Sequence, residues 1–120
     1  MQYMLLIYGE EAGRTSLPED EMQAMVAEYF ALAGDLRSHG KLVASDELQP
    51  VATATTIEVR DGDTVVTDGP FAETKEVLGG YFLIESESLD EAIEWAARIP
   101  TARRGKVEIR PVVDHAGGGS

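Results

Sequence analysis

The chain contains no cysteine, which excludes disulfide frameworks, thiolate nucleophiles and cysteine-ligated zinc. Histidine is almost as scarce. Of the two, His39 closes a helical segment and His115 lies in a terminal tail, so neither has a neighbour at metal-ligand spacing. Basic side chains number 10 against 22 acidic ones, giving a net charge of −12. Such a chain repels phosphate backbones, and no basic stripe interleaves with aromatics, so nucleic acid is not an expected partner. Solubility is the plainest result of the charge. The main basic cluster, Arg103, Arg104 and Lys106, reads either as a solvated turn or as a feature made conspicuous by the acidic background. No apolar run approaches the ~20 residues that cross a bilayer. The opening "MQYMLLIYGEE" reads as a strand rather than a signal peptide, so no membrane partner and a cytoplasmic location are expected. Nucleophile-elbow, P-loop and strand-borne dinucleotide fingerprints are also missing. The acidic pairs Glu10-Glu11 and Asp46-Glu47 lack a glycine-spaced ligand loop, so neither metal nor cofactor is expected.

What is present is one domain's worth of patterned chain. The 120 residues are 43% hydrophobic and 27% charged, enough to bury a core without staples. Residues 2–8, "QYMLLIY", are apolar on both alternating faces and predict a central strand. "GEEAGRTS" reads as a loop. Ser16 and Glu19 have capping-box spacing, with Pro18 in the first turn. Met22, Met25, Val26, Tyr29, Phe30, Ala33 and Leu36 then recur at helical spacing, and Gly40 ends that helix as a left-handed C′ residue.

Further on, "KLVASDELQP" and "ATTIEVR" are strand candidates. Asp61-Gly62, between "TIEV" and "TVVT", is a strong hairpin signal. "GGYFLIES" is a strand. Ser88 and Glu91 form a second capping box, ahead of a helix with Ile93, Ala96 and Ala97 as its buried stripe and Pro100 as its stop. "KVEIRPVV" is the last strand, placed at an edge by Pro111. The domain spans residues 1–113, and "DHAGGGS", residues 114–120, reads as a flexible tail.

The order is β, α, a meander with a hairpin, β, α, β. It predicts an α+β fold of ferredoxin-like (split βαβ) type, an antiparallel sheet with two helices on one face. Strands apolar on both faces then imply a homodimer joined through the open sheet faces.

The candidate chemistry lies in "VTDGPFAETKEVLGGYFLIE", residues 66–85. One reading is a turn: Asp68 caps its own backbone, Gly69 takes a positive φ, Pro70 stiffens the exit, Phe71 plugs the core, and Glu73, Lys75 and Glu76 are solvated. The other is a ligand site at strand ends. There Asp68 is pre-oriented, Gly69 permits close approach, Pro70 and Phe71 form an apolar wall, Lys75 neutralises an anionic ligand, and Gly79-Gly80 lets the next strand approach the ligand. Burial beside Phe71 would suit Asp68 to general acid or base work.

These residues resemble the signature of the DGPF (DGPFAETKE) branch of the YciI-related family. "MQYMLLIYGEE", "LQPVATATTIEVRDG", "SLDEAIEWAARIP" and "VEIRPV" are similar to the same family, so the resemblance runs over residues 1–113. It implies a ferredoxin-like dimeric α+β barrel. It also implies proton-transfer or elimination chemistry, of lyase or isomerase type, which some relatives carry out with a His–Asp pair. In those relatives the histidine lies in the first helix. The corresponding position here is Tyr29, and no histidine occurs between Met22 and Ser38. A phenol that ordinarily holds its proton to about pH 10 cannot replace that base, but it can donate a hydrogen bond to a developing oxyanion. The plain alternative for Tyr29 is an aromatic on the core stripe. Asp68 and Tyr29 are therefore the candidate catalytic residues, and Gly69, Pro70, Phe71, Glu73, Lys75 and His39 the candidate substrate contacts. His39 has a helix-dipole role as its alternative. The resemblance also implies a link to extracytoplasmic-function sigma factors, beside which such proteins are encoded. Three functions stay open: an acid–base enzyme, a metabolite-binding module without turnover, and an interaction subunit in sigma-factor regulation.

Overall fold

The structure is a computed structural model, and residues 1–115 are described, apart from the side chain of Arg14. Residues 116–120 of the expected tail lie outside the described part. Six strands and three helices follow in the order β1 (Gln2–Gly9), α1 (Glu11–Thr15), α2 (Glu19–Ser38), β2 (Leu42–Glu47), β3 (Thr55–Arg60), β4 (Asp63–Asp68), β5 (Val77–Glu85), α3 (Leu89–Ala97) and β6 (Lys106–Pro111). Short 3-10 turns at Val51–Thr53 and Pro100–Arg103 complete the path. The fold is α+β. Its main sheet is antiparallel with strand order β2-β5-β1-β6, so β5 is inserted between β1 and β2, the split βαβ arrangement.

Alternation along the central strands decides which face is buried. Tyr3, Leu5 and Ile7 of β1, with Phe82 and Ile84 of β5, pack against Leu32 and Leu36 of α2 and against Ala92, Ala96 and Ile99 in and after α3. Residues paired directly across antiparallel strands share a face. The opposite face therefore carries Met4 and Leu6 with their partners Leu83 and Tyr81, flanked by Arg110 and Glu108 on β6. These four central side chains are only partly buried.

Helix ends follow local chemistry. Gly40 has φ +69, its N–H donates to Arg37, and the Lys41 N–H reaches back to Leu36, a complete Schellman stop. Ser88 accepts from the Glu91 N–H at 3.1 Å and so caps α3 as expected, while the Glu91 carboxylate accepts from the Glu87 N–H at 3.5 Å. The first expected capping box does not form. The Ser16 hydroxyl donates to Gly13, Pro18 itself occupies the N-cap, and "GEEAGRTS" contains α1 rather than a plain loop. The buried stripes also shift. On α2 the inward residues are Met22, Met25, Tyr29, Leu32, Ala33 and Leu36, while Val26 and Phe30 are exposed. On α3, Ala92, Trp95, Ala96 and Ile99 face inward and Ile93 and Ala97 do not. Helical spacing names a stripe only to within one step around the helix, and the sheet selects the face.

The expected meander is the larger correction. β3 and β4 form their own two-stranded sheet, and β2 pairs with β5 instead. Asp61 and Gly62 both take positive φ, +49 and +84, the type I′ turn that suits a two-residue hairpin. The hairpin contacts almost only itself, so it stands off the main body as an arm. The molecule is correspondingly broad and flat, 48 × 47 × 18 Å.

Candidate functional site

Asp68 ends β4, opposite Thr55 at the base of the arm. The turn after it is fixed without the Asp68 carboxylate. Gly69 has φ +97, its N–H donates to Ala54 at 2.7 Å, and the Thr56 hydroxyl donates to the Gly69 carbonyl at 2.8 Å. Among the described residues the Asp68 side chain has no hydrogen-bond or ion-pair partner, and it is exposed. Neither the backbone cap nor the burial beside Phe71 is realised. Phe71 is 90% exposed, so in the single chain it neither plugs the core nor walls a cavity. Pro70 and Glu73 are exposed on the same loop.

The loop then turns toward the end of β1. Lys75, itself exposed, lies 3.4 Å from Glu10, and Lys106 pairs with Glu76. The adjacent Glu11 carboxylate accepts from the Val51 N–H at 2.9 Å, which ties α1 to the turn leading into the arm. Tyr29 approaches this end from α2. Its ring lies parallel to Phe82, with centroids 6.3 Å apart, and its hydroxyl is 2.5 Å from Thr101 Oγ1. Thr101 sits over Gly9, where an added Cβ would lie 3.4 Å from the threonine methyl. Arg103, two residues on, is held bidentately by Glu28 and is within electrostatic range of the Tyr29 hydroxyl. The hairpin base, the loop with Lys75, and Tyr29 with Thr101 are thus all linked to the end of β1.

His39 is not among them. It is ten residues beyond Tyr29, about 15 Å along the helix. Its Nδ1 is 2.7 Å from the Asp35 carbonyl, and its ring meets Trp95 edge-on. Gly80 has a different task from the one expected: a Cβ there would come within 2.8 Å of the Asp46 carbonyl, so this glycine admits the neighbouring strand β2 rather than a ligand.

A cleft of about 580 Å³, open to solvent, is lined by Tyr8, Glu76, Lys106, Val107 and Glu108. Of these, only Glu76 and Lys106 drew attention in the sequence. Tyr8 and Lys106 are register partners across β1 and β6, and that pairing, together with strand alternation, is the signal that places them on one face. Beside the cleft's sheet face, the Tyr81 hydroxyl donates to Asp46 at 2.7 Å, which raises the phenol above its ordinary value. Among the described residues no group of three or more His, Cys, Asp or Glu side chains is placed to hold a metal ion. Among the described residues no helix is long and apolar enough to cross a membrane.

Comparison with known proteins identifies the family. An uncharacterised protein of Rhizobium meliloti (strain 1021) is 36% identical over 114 residues, covering 93% of this chain and 92% of that protein. The family model for the YCII-related domain matches residues 1–116. A match over nearly the whole chain places this protein in the YCII-related domain family.

Proposed function

We propose that this protein binds a small molecule at the end of the main sheet where β1 finishes and acts on it by proton transfer of lyase or isomerase type. We take the working unit to be a homodimer joined through the open sheet faces as an α+β barrel. The observation that carries this reading is the state of Asp68: a carboxylate with no partner among the described residues, on a turn held rigid by other atoms. A side chain that does nothing for its own turn is free to meet a ligand, and the rigid backbone limits the entropy lost when it does. In this reading Asp68 moves the proton. The Tyr29 hydroxyl, positioned by Thr101, donates to the oxyanion that develops, with Arg103 adding positive potential. Lys75 exchanges Glu10 for an anionic group of the ligand, and Pro70 and Phe71 supply the apolar wall.

The test is a metabolite panel followed by amide NMR, with bound compounds then incubated in D₂O. Binding should shift signals of Gly69, Lys75 and Thr101, and wild type should exchange a ligand C–H for deuterium. Asp68→Asn should bind but not exchange. Binding without exchange in wild type would leave a binding module without turnover, and ligands mapping to another surface would sink the site.

A further inference from the structure

The open face of the main sheet carries a cleft that the acid–base reading leaves unused. Tyr8 opposes Lys106 and Leu6 opposes Glu108 across β1 and β6, so Tyr8, Lys106 and Glu108 share that face. Gly105 lets β6 begin this close to β1, since a Cβ there would lie 2.1 Å from the Tyr8 carbonyl. Glu76 enters from the loop before β5, where the Thr74 hydroxyl donates to the Glu76 carbonyl at 2.7 Å. With Val107 these residues line about 580 Å³, the size of a site for a small organic molecule and far more than a bare metal ion fills. Among the described residues the half-buried Tyr8 has no hydrogen-bond partner for its hydroxyl.

We infer that this cleft binds an organic amine as its ammonium ion, set against the Tyr8 ring and paired with Glu76. The unequal burial of the cleft's own ion pair carries the argument. Glu76 is 27% exposed, whereas Lys106, which pairs with it, is 74% exposed. The carboxylate is therefore the fixed member and the lysine ammonium the replaceable one. A pair so open to water contributes little, and the lysine swings into solvent at small cost. An incoming ammonium takes its place on Glu76 and gains the aromatic face of Tyr8, which attracts cations. The free Tyr8 hydroxyl is left to meet a polar atom of the ligand's body. Charge selects the sign of that ligand. Glu108 adds a second carboxylate to the cleft, paired with Arg110 along the strand at 3.0 Å. At a net charge of −12 the field of the whole chain draws cations in and opposes anions. An anion would find only Lys106 and the Tyr8 hydroxyl, with Glu76 and Glu108 facing it. These charges sit on the edge strand β6, beside the apolar centre formed by Met4, Leu6 and Leu83 and not within it. The inference stands apart from the acid–base reading: it uses neither Asp68 nor Tyr29, which packs on the other face of the sheet against Phe82.

Titration of the full chain with benzylamine at low salt, read by amide and tyrosine-ring NMR with circular dichroism as the fold check, tests this. Wild type should show saturable shifts at Tyr8, Glu76 and Lys106, and benzoate should produce none. Glu76→Gln, which keeps the side chain's shape, should weaken binding at least about tenfold, as loss of a charged hydrogen-bond partner does. Tyr8→Leu should weaken it about 2–5-fold through the lost aromatic face. Lys106→Met is the sharpest variant, because it removes the competing ammonium. Benzylamine should then bind about 2–5-fold more tightly, whereas an anion site would be lost. Glu94→Gln removes the same charge from an exposed position on α3 and should change affinity by less than about twofold, since solvent screens a distant surface charge. No saturable shift at the cleft, saturable binding of benzoate there, a Lys106→Met variant that fails to bind more tightly, or equal losses in Glu94→Gln and Glu76→Gln would overturn the inference. Because Asp68 and Tyr29 take no part, none of these outcomes bears on the acid–base reading.

Discussion

Gly69 and Asp68 are adjacent, yet alanine should affect them very differently. At Gly69 an added Cβ meets nothing within 4 Å, but φ is +97. The whole cost is therefore conformational, about 1–2 kcal/mol for an L-residue held in the left-handed region. That conformation aims the Gly69 N–H at Ala54 and its carbonyl at the Thr56 hydroxyl, so relaxing it also loosens the base of the arm. Because β3 and β4 contact almost only each other, the effect belongs to local opening of the arm and not to global unfolding. Amide exchange is the appropriate assay. Gly69→Ala should speed exchange at Thr56, Glu58, Val65 and Thr67, whose amides lie in the hydrogen-bonded pairs of the hairpin, by about 5–30-fold, the factor that 1–2 kcal/mol implies. Exchange in β1 and β5 should stay as it was. Asp68→Ala should change the same amides by no more than about twofold, because an exposed residue without partners among the described residues contributes within about 0.5 kcal/mol. If Asp68 capped its own turn, its loss would cost about 1 kcal/mol. Comparable acceleration in both variants would refute the claim that this carboxylate is structurally idle, and with it the strongest support for a site.

Three further outcomes follow from the packing. Gly34→Ala, in an exposed stretch of α2 with open space around the new methyl, should stabilise by about 0.5–1 kcal/mol. Gly105→Ala would place a Cβ 2.1 Å from the Tyr8 carbonyl and should destabilise by about 1–3 kcal/mol; urea titration of both checks the opposite signs. Glu91 is held below the usual carboxylate range, chiefly by its hydrogen bond from Lys41, with burial working against it. Its contribution is therefore present above the ordinary value near ~4.3 and lost as pH falls through the lowered one. Lys41→Met should be less stable at neutral pH, with a flatter fall in acid, and an acid limb as steep as wild type's would count against this. Asp46→Asn should return the raised Tyr81 phenol toward its ordinary value, visible as earlier phenolate absorbance in an alkaline titration.

The elements most legible in the sequence were those written by local chemistry. Gly40, Asp61-Gly62 and Ser88 with Glu91 each act within a few residues, and each stands where the spacing puts it. Pro111 does lie on an edge strand, as a residue without a donor must. The expectations that failed were non-local. Nothing within "KLVASDELQP" states that β2 will seek β5, some 35 residues on, instead of the hairpin beside it. The choice is made by the main sheet, where Leu42 reaches the core beside Ile84 and where Gly80 alone leaves room for the Asp46 carbonyl.

The arm shows how much more could have been read. Once Asp61-Gly62 is accepted as a two-residue turn, Arg60 must oppose Asp63 and every other pair follows by counting. That count puts Ile57, Val59 and Val66 on the same side as Asp68, and Glu58, Arg60 and Asp63 on the other, with no coordinates needed. The motif's acid and the chain's one amphipathic hairpin are thus a single feature. Whatever surface covers the valines and the isoleucine also determines what surrounds Asp68. Asp68 thus shares its surroundings with the uncovered side of the hairpin, so a substitution at Ile57 or Val66 bears on the candidate site as well as on the arm.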